Sequence, residues 1–191
     1  MRCSIKILFL ILGLLVQSIA VAQSAGKPHA NLDYSYLELR FVDVDTNGGD
    51  GIRFTGSYDF GNSWLLVGGF TTLDFNNNVD STAFELGAGY VWHYSDDFDL
   101  VSTLRLVKAE VDNPGQNVDD TGFAFSAGTR GLITPKFEIR GSINHIDVGD
   151  SDTYLELAGD YIFSRQFAAG VSLEFAGDND VITIGGRWFF R

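Results

Sequence analysis

The stretch Phe84-Glu85-Leu86-Gly87-Ala88-Gly89-Tyr90-Val91-Trp92 sets large apolar side chains at 84, 86, 90 and 92. Between them stand mostly small or charged residues. A period of two is the mark of a strand with two unlike faces. Working outward, the same alternation recurs through most of the chain, and no stretch beyond the amino-terminal region repeats apolar residues at helical spacing. The pattern predicts ten strands, near 34–43, 51–60, 63–74, 82–94, 98–110, 121–132, 136–147, 153–163, 166–175 and 181–190. Of the three prolines, Pro114 and Pro135 fall between these segments, where a missing N–H does no harm.

Each strand contributes to a bulky face, from Leu37, Leu39 and Phe41 through Leu100, Leu104 and Leu106 to Ile182, Ile184, Trp188 and Phe190. The opposite parity carries charges mixed with Gly, Ala, Ser and Thr. A soluble sandwich or barrel has the same period, so the decision rests on which face is large. The bulky set is too voluminous to fill a small barrel, whereas the charged and small set fits inside one. Apolar outside and polar inside is the membrane arrangement, and closure satisfies every backbone group in lipid. The fold expected is therefore all-β: an antiparallel up-and-down transmembrane β-barrel of about ten strands, with eight as the alternative.

The amino terminus agrees with export. Arg2 and Lys6 precede an apolar run from Ile7 to Val16, and Ala20 and Ala22 offer a small-residue cleavage site. The run is too short to span a bilayer. Residues 1–22 read as a signal peptide and 23–191 as a single barrel domain. The only cysteine, Cys3, leaves with the leader. Removing Arg2 and Lys6 from the 13 basic residues leaves 11 against 25 acidic ones, a net charge of −14. Such a chain repels nucleic acid.

The connections alternate in character. Asp43–Asp50, Asp74–Asp80, Glu110–Asp120, Asp147–Asp152 and Asp178–Asp180 hold 14 carboxylates and no Lys or Arg. The turns between them, near Gly61, Ser95, Pro135 and Ser164, are short. Membrane barrels with an even strand count keep both termini and short turns in the periplasm and longer loops outside, so the acidic set is expected at the cell surface.

With this pattern the chain resembles the small outer-membrane β-barrel proteins of Gram-negative bacteria, the OmpA/OmpX-like class. The residues that carry the likeness are the glycine-aromatic strands Glu85–Trp92 and Gly185–Phe190, the latter forming an aromatic carboxyl-terminal strand. The resemblance implies location in the outer membrane, contact with its lipid and lipopolysaccharide, and recognition by the assembly machinery through the last strand. Members of the class usually end in an aromatic residue, whereas here Arg191 follows Phe190. A monomer is expected, with no cofactor.

Burying lone charges in a narrow lumen is costly, so the inward set Glu38, Arg40, Arg53, Glu85, Arg105, Arg130, Glu138, Arg140, Glu156, Asp160, Glu174 and Arg187 is predicted to pair into a plugging network. The balanced signs argue against the alternative, a charge-selective diffusion channel. Asp59, Asp99 and Lys136 are placed near the periplasmic mouth, where water can stand in for a partner.

A surface lipid or peptide hydrolase is the other alternative, and the three histidines limit it. His29 lies in the leader region, His93 with Ser95 lies at the periplasmic end, and His145 with Asp147 shares the outward parity of Ile143. The chain also lacks, on this reading, the long strands that lift an omptin-like cleft above the membrane. No catalytic set is assigned. For metals, Asp43, Asp45 and Asp50 resemble the oxygen spacing of a calcium loop but lack its closing Glu, and Asp112, Asp119 and Asp120 form a second acidic group. Solvated acidic turns are the reading preferred over a metal site.

Overall fold

The computed structural model describes residues 32–45, 48–76, 79–113, 116–177 and 179–190. The leader 1–22, His29 and Arg191 lie outside them. Ten strands form one closed barrel in which each pairs antiparallel with its sequence neighbours and β1 closes on β10. They are β1 (Tyr36–Val44), β2 (Gly49–Asp59), β3 (Trp64–Phe75), β4 (Val79–His93) and β5 (Phe98–Asn113). The second half comprises β6 (Gln116–Thr134), β7 (Phe137–Val148), β8 (Asp150–Ile162), β9 (Phe167–Ala176) and β10 (Asn179–Phe189).

The bulky parity faces outward, as in Phe41, Phe84, Leu104, Leu106, Ile143 and Ile184. Outward aromatic residues gather near the end that carries the chain termini. There Tyr58 meets Phe60, Trp64 meets Tyr90, Tyr90 meets Trp92 and Tyr161 meets Phe163, with ring centroids 4.7–5.2 Å apart. Such a girdle marks a membrane interface, because the rings have an apolar body and tolerate a wet edge.

Three expectations are corrected. The acidic connections are tight turns, not long loops. β2, β4, β6, β8 and β10 begin at 49, 79, 116, 150 and 179, ahead of the alternation, and β5 runs to 113. The cause is ladder pairing: Asp112 faces Asn117 and Asn113 faces Gln116, so the hairpin persists where amphipathic patterning has stopped. At the β7–β8 turn a single residue, Gly149 at φ 69°, reverses the chain.

Second, long strands are present: β5 has 16 residues and β6 has 19. At ~3.3 Å per residue and a tilt of about 45°, β6 rises roughly 45 Å against an apolar band of about 25 Å. Third, the acidic end is not free of cations, since Lys108 Nζ donates to Glu110 Oε1 at 2.6 Å.

Candidate functional site

The inward parity of five strands converges on one buried cluster in the half of the barrel nearest the termini. β1 contributes Glu38 and Arg40, β6 Arg130, β7 Glu138 and Arg140, β8 Asp160, and β10 Arg187. Arg187 is its centre, with a side chain 0% exposed. Its Nε donates to Glu38 Oε2 at 2.8 Å, Nη1 to Glu138 Oε1 at 2.7 Å and Nη2 to Asp160 Oδ2 at 3.2 Å. Arg40 donates from Nε to Glu38 Oε1 at 2.8 Å, from Nη2 to Asp160 Oδ1 at 2.9 Å and from Nη1 to Thr183 Oγ1 at 3.3 Å. Arg130 grips Glu138 with both arms of its fork, at 2.9 and 2.8 Å. Arg140 Nη2 reaches Asp160 at 3.2 Å and Glu38 at 3.5 Å.

Several of these bonds cross the interior between strands that are not neighbours: β10 to β7, β1 to β8 and β7 to β1. Within the ladders alone the arrangement would be unfavourable, because Arg130 faces Arg140 and Glu138 faces Asp160. The cross-lumen contacts interleave the signs and remove that conflict. Room is made by a missing side chain. A Cβ at Gly185, opposite Arg40, would lie 2.1 Å from the Leu39 carbonyl oxygen and 2.7 Å from Arg40 Cγ.

Four arginines against three carboxylates leave one surplus positive charge, and aromatic faces help to offset it. The Arg130 guanidinium lies 4.6 Å from the Tyr34 ring centroid, and that of Arg187 lies 4.7 Å from the Tyr36 ring. Nearer the acidic end are two separate pairs, Arg53 with Glu174 and Arg105 with Glu85. Glu156 faces Glu174 across the β8–β9 ladder and stands on the wall of a cavity of about 130 Å³ that Arg130 and Arg140 also line.

Tyr34 was read from sequence as the start of a strand, but it precedes β1 and turns into the terminal mouth. Its ring is buried against Leu65 and Val91, with Leu32, Val67 and Val101 around them. Its hydroxyl donates to Asp99 Oδ2 at 2.7 Å. Burial pushes the phenol above its ordinary range, so it stays a donor. Asp99 therefore has two protein partners, the second being His93 Nδ1 at 2.9 Å. Asp59 Oδ1 instead accepts from the Gly61 N–H at 2.7 Å, and Lys136 is exposed in a turn.

The alternation left these inward aromatic and apolar residues unnoticed because charges dominate the same parity. One signal was available: Tyr34 and Tyr36 share the parity of Glu38 and Arg40.

Among the described residues, His93 and His145 do not assemble a reactive set with the partners considered for them. His145 faces outward and touches Thr153 Oγ1 at 2.9 Å and the Phe123 ring at 6.5 Å. Ser95 Oγ accepts from the Phe98 N–H at 3.1 Å and serves its turn. Among the described residues no group of three His, Cys, Asp or Glu side chains is placed to hold a metal. Asp43 and Asp50 face each other across the β1–β2 ladder, as Asp112 faces Asn117 and Glu110 faces Asp119.

The fold has known relatives. A KdgM porin is similar at 12% identity and a TM-score of 0.51, covering 82% of this chain and 99% of that one. A KdgM porin in complex with disordered oligogalacturonate gives 11% and 0.50, with the same coverages of 82% and 99%. Ail, the attachment invasion locus protein of Yersinia pestis, gives 18% and 0.43, covering 82% and 97%. At such identities the likeness to the porins concerns the fold alone. No curated protein sequence matches the chain. The family described as outer membrane protein beta-barrel domain matches residues 7–175. This chain, a closed barrel with a lipid-type exterior, belongs to that outer-membrane β-barrel family.

Proposed function

We propose that the protein is a closed outer-membrane barrel that presents its acidic end at the cell surface as an interaction platform, with the ion-pair cluster acting as a plug. One observation carries the surface role. β6 pairs with β5 from Gln116 onward but with β7 only from Phe123. Residues 116–121 thus stand above their other neighbour with backbone groups open along one edge, the geometry by which a sheet accepts an added strand. Five acidic residues on neighbouring strands, Glu110, Asp112, Asp119, Asp120 and Asp147, favour a partner with basic side chains.

Termini in the periplasm place this end outside. The lipid neighbours are then phospholipid and lipopolysaccharide, and assembly proceeds through β10. The barrel acts as a monomer, with no catalytic role and no cofactor. Labelling intact cells with a membrane-impermeant maleimide tests the orientation: Asp119→Cys reacts and Lys136→Cys is protected until the outer membrane is opened. The reverse pattern overturns the surface role. A diffusion channel is the competing function, and conductance in planar bilayers separates it from the plug.

A further inference from the structure

The ion-pair cluster occupies only part of the lumen. Its residues come from β1, β6, β7, β8 and β10, while the inward face of β3 to β5 carries Gly69, Gly87, Gly89 and Thr103 beside the apolar Leu65 and Val91 and, toward the acidic end, the part-exposed Arg105–Glu85 pair. The cavity of about 130 Å³ lies between this face and the cluster, bounded by Leu65 and Thr103 on one side, by Arg130, Arg140 and Glu156 on the other, and by Tyr34 at the terminal mouth. Tyr34 is the residue that covers this half.

It is attached in a way that can come undone. The wall begins at Ser35, whose carbonyl accepts from the Phe190 N–H at 3.0 Å and whose Oγ accepts from the Asp59 N–H at 3.2 Å. Residues 32–34 before it belong to no ladder. Tyr34 is held by the bond to Asp99, by apolar packing on Leu65 and Val91, and by the Arg130 guanidinium over its ring. Segments outside the ladders open locally at a fraction of the cost of global unfolding.

We propose that residues 32–34 are a gate, with Tyr34 as its stopper, and that its release about Ser35 opens a narrow path for water and small inorganic ions along the β3–β5 wall. The inference rests on the reading that the ion-pair cluster closes the other half of the lumen. Asp99 acts as a latch: it holds Tyr34 on one oxygen and His93 on the other.

Single-channel recording of the whole protein, refolded into planar bilayers and bathed in KCl, tests this. Each variant is first checked for folding by its heat-dependent electrophoretic shift. The native protein is expected to show rare, brief openings. Tyr34→Phe loses a hydrogen bond to a carboxylate and raises the open fraction roughly tenfold. Tyr34→Ala removes the stopper and gives a steady small conductance.

A folded Tyr34→Ala protein as silent as the native one overturns the gate and leaves the plug intact. Steady conduction by the native protein at the Tyr34→Ala level overturns both readings. If Tyr34→Ala does not fold, Tyr34→Phe decides: an open fraction equal to the native value overturns the gate.

Discussion

Arg187 shows how a single residue governs the interior. Its three nitrogens each meet a carboxylate from a different strand, and none of its side chain reaches water. Truncation to Ala takes a buried donor from each of Glu38, Glu138 and Asp160 and leaves a cavity at the centre of the cluster, and is expected to cost about 3–5 kcal/mol in denaturant unfolding from bilayers. Arg53→Ala should cost clearly less, because that side chain is 24% exposed and water can take its place. Equal losses would show that the cluster has no special weight. Gly185→Ala tests the space beside Arg40. Its new Cβ meets backbone, which cannot step aside as a side chain would, so a loss of about 1–3 kcal/mol is expected by the same measurement.

At the scale of the strand, parity decides the response to charge. Leu104 on β5 is exposed on the outer wall, whereas Ser126 on β6 faces the lumen and bonds to Thr103 Oγ1 at 2.7 Å. Leu104→Arg should lower insertion stability by about 2–4 kcal/mol, as for a charge at mid-membrane depth. Ser126→Arg should be milder, since Glu156 lines the same cavity. Comparable effects would contradict the assigned faces. The alternation made all ten strands readable, because lipid outside and a narrow lumen inside demand unlike side chains at successive positions. It failed at the β5–β6 tip, where both faces are wet and the requirement lapses.

For the whole molecule, charge is divided between two ends. The terminal half pairs its arginines and carboxylates internally, and in the proposed orientation the acidic end projects carboxylates toward an outer leaflet that is itself anionic. Direct contact there is repulsive unless cations mediate. If Mg²⁺ or Ca²⁺ bridges Asp112, Asp119 and Asp120 to lipid phosphates, EDTA should lower the unfolding temperature in lipopolysaccharide-containing bilayers. The triple Asn variant should then lose that sensitivity, and high salt should weaken it because the hairpin is exposed. Identical EDTA responses in both proteins would remove the case for bridging through this hairpin.

By itself the sequence determined an antiparallel membrane barrel and its two faces, with ten strands favoured over eight. All follow from period-two patterning, which each strand carries locally. It did not determine which arginine meets which carboxylate, because Arg187 finds Glu138 and Asp160 only after closure and register bring β7, β8 and β10 around one axis. Nor did it place Tyr34 in the terminal mouth: the parity Tyr34 shares with Glu38 and Arg40 marks only the lumen side, and the opening that its ring fills exists only in the closed barrel.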